Sequence, residues 1–336
     1  MALSDIARKV EFTANTFSLK HSARKGWQPS ITGYAGYGNE DFVHVLGRVL
    51  MHDPKAEERD TWTQRGYRQF FTIQVTHHEV EVTVGGKTVP GTTNHNGYID
   101  VLVHDHGLEP GWHDVTIRAK GADEVRAEVL IVDKDTTFGV VSDIDDTIMV
   151  TWLPRAMIAA WNSWVKRTNT RTPVEGMASF YREISQQHPE VPFVYLSTGA
   201  WNTYDTLVNF MAENGFPRGP LLLTDWGPTP TGLFRNGQEH KRVQLRNLFI
   251  AFPKLRWLLI GDDGQHDPLT YADAAAEHPN RVAAVAIRNL TPQEQLLSHG
   301  SLAPLVKVNE ESSFHIPLIQ GADGNALVRA YRELNL

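Results

Sequence analysis

The sequence predicts an antiparallel β-sandwich followed by a three-layer α/β domain built on a parallel sheet. Three observations carry that prediction. From about residue 30 to 132 the chain reads as short segments of alternating apolar and polar residues punctuated by glycine, the period of strands with one buried face. From residue 138 the rhythm changes to continuous apolar runs separated by segments of helical period, as expected for parallel strands buried on both faces and joined by helical crossovers. The polar residues that follow these runs are acidic or hydroxylic, and in open parallel sheets ligands bind outside the strands' carboxyl ends.

Taken in order, residues 1–28 form an N-terminal helical segment. Leu3, Ile6, Ala7 and Val10 have helical spacing, with Arg8 and Lys9 among them and Lys20, Arg24 and Lys25 beyond. Such a segment serves either as a short docking helix or as a basic amphipathic helix on an anionic membrane. Asp5 and Glu11 break any continuous signal-peptide core. Residues 29–135 form the sandwich domain. Phe71–Val75 and Val80–Val84 alternate as half-buried strands, and Val84-Gly85-Gly86-Lys87 supplies a hairpin turn. Tyr98–Val103, Trp112–Ala119 and Val125–Val132 continue the series.

Residues 136–336 form the α/β domain. Strands are expected at Phe138–Val141, Phe193–Leu196, Leu221–Leu223, Trp257–Ile260 and Val282–Ile287. Helices are expected at Leu153–Val165, Val174–Ser185, Thr203–Glu213, Arg242–Ala251 and Tyr271–Glu277, with Pro173 and Pro268 in first turns and Gly215 as a stop.

Composition bounds the function. A length of 336 residues fits two domains. The net charge of -7 argues against a nucleic-acid partner. Cysteine is absent, which excludes disulfides and thiolate metal sites and fits a cytoplasmic protein. No apolar stretch reaches the ~18 residues of a membrane span.

The chemistry collects at three strand ends. V-V-S-D-I-D-D-T-I places Asp143, Asp145 and Asp146 within four positions, and carboxylates this close resist ionising together unless a positive charge neutralises them. The next run ends in Ser197-Thr198-Gly199, and a later one in Gly261-Asp262-Asp263-Gly264-Gln265-His266-Asp267. Alone, Ser197 and Thr198 fit a helix cap. Two acidic turns at one sheet edge point instead to a bound divalent cation, and oxygen-only ligands select magnesium.

D-I-D-D-T, a strand-end serine, a lone lysine and G-D-D-x-x-x-D together resemble the haloacid dehalogenase (HAD) superfamily of phosphohydrolases. The fuller wording is V-S-D-I-D-D-T-I-M-V-T, Y-L-S-T-G-A-W-N, L-L-T-D-W-G-P, E-H-K-R and L-I-G-D-D-G-Q-H-D-P. It is similar to the actin-patch-associated phosphatidate phosphatase family. The resemblance implies a HAD-like Rossmannoid sheet with a minimal cap, because only about fifty residues separate Asp143 from Ser197. It also implies site roles. Asp143 attacks phosphorus to form an aspartyl-phosphate, and Asp145 acts as general acid and then base. Thr147 supports the loop, and Asp146 lies behind it. Magnesium is held by Asp143, the Asp145 carbonyl and Asp262, with a further contact from Asp263 or Asp267. Ser197, Thr198 and Gly199 bind the phosphate, and Lys241 balances its charge.

Other features keep two readings. The segment Trp152–Val165 carries Trp152, Trp161 and Trp164 beside Arg155 and Lys166; it suits either a core stripe or a membrane interface. His77, His78, His104, His106 and His113 lack diagnostic zinc spacing and read as exposed side chains, while His240 and His266 flank site motifs. The expected function is magnesium-dependent hydrolysis of a phosphomonoester, phosphatidate by resemblance, in the cytoplasm with peripheral membrane contact. The alternatives are a soluble phosphomonoester substrate, or a non-catalytic adaptor on a phosphatase fold.

Overall fold

The computed structural model describes residues 19, 21–22, 24–54, 73–150, 172–224, 237–264, 266–299 and 316–334. Most of the N-terminal segment, Phe71 and Thr72, and the tryptophan-rich segment with its expected helix Leu153–Val165 lie outside them. The described residues separate into two compact units, divided between Lys134 and Asp135.

The first unit contains strands β1 (Gln28–Gly38), β2 (Phe42–His52), β3 (Ile73–Gln74), β4 (Glu79–Val84), β5 (Lys87–Thr92), β6 (Tyr98–His104), β7 (Gly111–Ala119) and β8 (Val125–Ile131). They form one hydrogen-bonded sheet in the order β3-β2-β1-β8-β7-β4-β5, with β6 also on β2. Every pair is antiparallel except β1 with β8. The layers of the expected sandwich are therefore continuous through a single sheet. E-V-E-V-T-V in β4 turns Val80, Val82 and Val84 inward, where they meet Val45, Val103, Ile117 and Val129. The β4–β5 hairpin closes through Gly85 and Gly86, at φ 55° and 81°. Both central residues of a type I′ turn need positive φ, which glycine adopts without strain.

The second unit contains β9 (Phe138–Ser142), β10 (Met149–Val150), β11 (Thr172–Pro173), α1 (Met177–Gln187), β12 (Phe193–Ala200), α2 (Tyr204–Glu213), β13 (Leu221–Thr224), α3 (Gly237–Ala251), β14 (Arg256–Asp262), α4 (Asp267–Glu277), β15 (Val282–Arg288), α5 (Pro292–His299), β16 (Leu318–Gly321) and α6 (Gly324–Arg332). Six strands form a sheet in the order β13-β12-β9-β14-β15-β16, parallel throughout. All seven residues of β15, V-A-A-V-A-I-R, are buried, as strands covered on both faces require. Leu258 and Ile260 face a core shared with Phe180, Tyr181, Leu207 and Leu327. The alternate residue Trp257 packs on Phe252, just beyond α3. Helices thus cover both faces, as an α/β fold demands.

Two expectations are corrected. Thr172–Pro173 pairs with Met149–Val150 as a small ribbon, so Pro173 opens no helix and α1 starts at Met177, after the Val174 N–H has bonded to the Ile148 carbonyl. Helix α3 starts at Gly237 rather than Arg242, which places Lys241 inside it. The edge strand β16 and helices α5 and α6 were not foreseen.

Candidate active site

The central strand β9 delivers the first acid. Beyond its last residue, the Asp143 N–H donates to the Ile260 carbonyl at 2.9 Å, so the ladder with β14 holds Asp143 alongside the end of the neighbouring strand. The chain then turns. Asp146 takes φ 57°, a region that Asp tolerates better than most residues, and its N–H bonds to the Met149 carbonyl at 2.9 Å. Ile144 and Ile148 anchor the turn in the core. The Thr147 hydroxyl lies 3.2 Å from Asp143 Oδ2 and 3.4 Å from Asp262 Oδ2, tying the two acidic turns together. Beneath them, Ser142 Oγ donates to the Asp143 carbonyl at 2.7 Å and also bonds to the Tyr181 hydroxyl.

Asp262 ends β14 and accepts from the Gly264 N–H at 2.7 Å. Asp267 opens α4 against Gly261. A Cβ on Gly261 would stand 2.5 Å from Asp267 Oδ2 and 2.8 Å from the Tyr271 ring, so only glycine permits this approach. Carboxylate oxygens of Asp143, Asp262 and Asp267 all lie within 4.8 Å of one another, and all three residues are buried. Lys241 Nζ bridges two of them, at 2.6 Å from Asp143 Oδ1 and 2.5 Å from Asp267 Oδ1.

One ammonium faces three carboxylates, which leaves two negative charges uncompensated if all are ionised. Burial pushes the Asp143 carboxyl up to about 7; Lys241 opposes that shift, while Asp267 and Asp145 add to it. Burial, with Asp267 and Asp143 next in weight, raises Asp262 well above the usual range. Burial works against the Lys241 ammonium, but Asp143 and Asp267 outweigh it and hold its pKa above the ordinary lysine value. The lysine therefore stays charged and offsets one carboxylate; all three acids can ionise together only if further positive charge enters, and otherwise the raised Asp143 and Asp262 carboxyls hold protons. Asp267 Oδ2 is buried with no hydrogen-bond partner. Hard oxygen ligands, a surplus of two negative charges and an orphaned carboxylate oxygen fit a divalent cation.

The half-buried Asp145 stands beside this cluster, its Oδ2 accepting from Ser197 Oγ at 3.0 Å. The same Ser197 oxygen accepts from the Gly199 N–H at 2.8 Å. Thr224 Oγ1 donates to the Thr198 and Gly199 carbonyls at 2.8 and 3.2 Å. Sequence position thus brings together Asp143, Asp262, Asp267, Lys241 and Thr147, with Asp145, Ser197 and Gly199 linked at one side. Asp263 turns away: its Oδ1 accepts from the Leu290 N–H at 2.7 Å, beyond β15. His240 reaches the Leu222 carbonyl at 3.4 Å. In the first unit, the His78, His106 and His113 rings bond to the carbonyls of Lys120, Asn39 and Glu109. Among the described residues, Asp143, Asp262 and Asp267 are the only such cluster of metal-ligating side chains.

Sequence reasoning missed the buried pair Arg288 and Glu294, 2.6 Å apart. Two signals were present. An arginine closes an otherwise apolar run, and T-P-Q-E places Thr291 and Glu294 at capping-box spacing around a first-turn proline.

Residues 138–289 match the family described as Phosphatidate phosphatase APP1, catalytic domain. The chain is 30% identical over 159 residues to Phosphatidate phosphatase APP1 of Saccharomyces cerevisiae, covering 45% of this chain and 25% of that protein. It is 24% identical over 293 residues to the uncharacterized protein C29B5.04c of Schizosaccharomyces pombe, covering 80% of this chain and 47% of that protein. The chain thus spans about a quarter and about half of the length of these relatives. Among solved structures, the HAD domain of the effector protein Lem4 from Legionella pneumophila matches at 19% identity and a TM-score of 0.31. That match covers 46% of this chain and 85% of that one. By the sequence match, residues 138–289 are similar to the catalytic domains of APP1 phosphatidate phosphatases.

Proposed function

We propose that the α/β domain is a HAD-like phosphatase that hydrolyses phosphomonoesters, with phosphatidate as substrate and diacylglycerol and phosphate as products. The observation that carries the chemistry is Asp143. Its carboxylate is fixed by Lys241 at 2.6 Å and by Thr147 at 3.2 Å beside two further buried carboxylates. Asp143 attacks phosphorus and becomes an aspartyl-phosphate as the phosphorus–oxygen ester bond breaks. Asp145 gives its proton to the departing alkoxide, then accepts one from the water that cleaves the acyl-phosphate. The Ser197 hydroxyl exchanges its Asp145 partner for a phosphate oxygen, with the amides of Thr198 and Gly199 as further donors. Lys241 offsets charge on the phosphoryl group.

Asp143, Asp262 and the Asp145 carbonyl, with Asp267, would hold magnesium. Bound there, the ion would supply positive charge for the phosphoryl oxygens and favour ionised Asp143. The lipid substrate is taken from the name of the family and of the yeast relative; cytoplasmic placement with peripheral membrane contact is part of the proposal.

The test is phosphate release with magnesium from phosphatidate in mixed micelles and from soluble monoesters, using the wild type and Asp143→Asn. The expected result is rapid phosphatidate turnover that the variant abolishes. Phosphatidate turned over no better than a chromogenic ester would remove the lipid assignment. Equal rates for wild type and variant would remove the enzyme.

A further inference from the structure

We infer that Arg288, backed by Glu294, is a positioning residue that braces both acidic turns and so sets the spacing of Asp143 and Asp262. This rests on the phosphatase reading for its purpose, though not for its geometry.

The bracing starts from one segment just past the sheet edge. Arg288 closes β15, buried at 4% exposure. Its Nη1 donates to the Asp146 carbonyl at 2.6 Å, the residue whose positive φ turns the chain between Asp145 and Thr147. Its Nη2 donates to Glu294 Oε1 at 2.6 Å. Glu294 is itself fixed: Oε2 accepts from the Thr291 N–H at 2.8 Å and from the Thr291 hydroxyl at 2.9 Å, while Thr291 Oγ1 receives the Glu294 N–H at 3.3 Å. This is a capping box at the start of α5, and its carboxylate serves the helix with one oxygen and the arginine with the other.

The same segment grips the second acidic turn. The Asp263 N–H donates to the Arg288 carbonyl at 3.0 Å, and Asp263 Oδ1 accepts from the Leu290 N–H at 2.7 Å. Asp263 neighbours Asp262, and Asp146 lies three residues from Asp143. One rigid stretch, residues 288–294, therefore fastens the turn that carries each ligand. Guanidinium suits the task because its planar fork reaches two acceptors at fixed angles, which an ammonium does not reproduce.

Magnesium affinity separates positioning from bulk stability. Magnesium is titrated calorimetrically into the wild type, Arg288→Lys, and a double variant with Arg288→Met and Glu294→Gln. The double variant leaves no unpaired buried charge and keeps the capping acceptor. Phe252→Ala serves as a destabilised control, because buried Phe252 packs on Trp257, near the start of β14 and at the opposite end of that strand from Asp262. Both Arg288 variants are expected to weaken magnesium roughly 10-fold or more, as loss of a residue that orients metal ligands does. Phosphate release should fall with them and recover as magnesium is raised, while Phe252→Ala lowers the melting temperature without moving the magnesium Kd. If Arg288→Lys does not fold, the double variant decides alone. A folded Arg288 variant with a magnesium Kd within about twofold of wild type overturns the inference while leaving the phosphatase reading intact; fold-changes of about 10 are what loss of such positioning produces. A wild-type chain that binds no magnesium overturns both.

Discussion

Changing the pH from 7 to 5 should release a divalent cation from the three-carboxylate cluster, and the size of the effect follows from Asp143. Without metal, burial holds its carboxyl at about 7, against 3.8 for the free group. A cation binds the ionised form, so below pH 7 each binding event must displace at least one proton. One displaced proton weakens apparent affinity tenfold per pH unit, about 1.4 kcal/mol. Because Asp143 is already half protonated at pH 7, the magnesium Kd should rise by about 50-fold between pH 7 and 5, or about 2.3 kcal/mol. Asp262, raised by the same burial and by its acidic neighbours, makes the dependence steeper. Stability of the metal-free protein runs the other way. Because the folded pKa of Asp143 exceeds the unfolded one, the folded state holds a proton that the unfolded state has lost between about pH 4 and 7. Metal-free stability thus falls as pH rises through that window, by up to about 4 kcal/mol from this group. Calorimetric titration gives the first quantity, and thermal melts with and without magnesium give the second. A magnesium Kd that changes less than about threefold over this range, where a single proton would move it about 50-fold, would refute the argument that surplus buried charge defines the site.

Three further outcomes follow from the geometry. Lys241→Met leaves three buried carboxylates without their ammonium; it should cost about 3–5 kcal/mol at pH 8 and recover as the pH is lowered in thermal melts. Gly261→Ala drives a methyl to 2.5 Å from Asp267 Oδ2 and should cost about 1–3 kcal/mol in chemical denaturation; an unchanged midpoint would mean that α4 does not need this approach. Asp145→Asn alters a half-buried side chain outside the carboxylate cluster, so fold and magnesium affinity should persist while phosphate release drops roughly 100-fold or more.

What the sequence disclosed was whatever short-range pattern encodes. E-V-E-V-T-V and the G-G turn specify a hairpin from neighbouring residues alone, and runs such as W-L-L-I declare strands buried on both faces. The acidic residues were legible because they follow such runs directly. Long-range pairing decided the rest. L-I-Q-G is too short and too polar to announce β16, which exists because β15 offers it a partner. Thr172–Pro173 is a strand only through Met149–Val150. The sequence left Asp263 and Asp267 as alternatives for a metal contact; the path of the turn turned one toward Leu290 and the other toward Lys241. Arg288 was legible as an arginine closing an apolar run, but its target was not, because that acceptor, the Asp146 carbonyl, lies 142 residues earlier.

The position of β9, between β12 and β14, has a consequence for biosynthesis. Ribosomes deliver the chain from its amino end, so Phe138–Ser142 emerges well before either flanking partner. Until Arg256–Asp262 has been translated, one side of that segment offers unpaired amides and carbonyls to any passing polypeptide, a period of aggregation risk. Nascent chains arrested just short of Arg256 should therefore engage holdase chaperones more strongly than those released past Arg288.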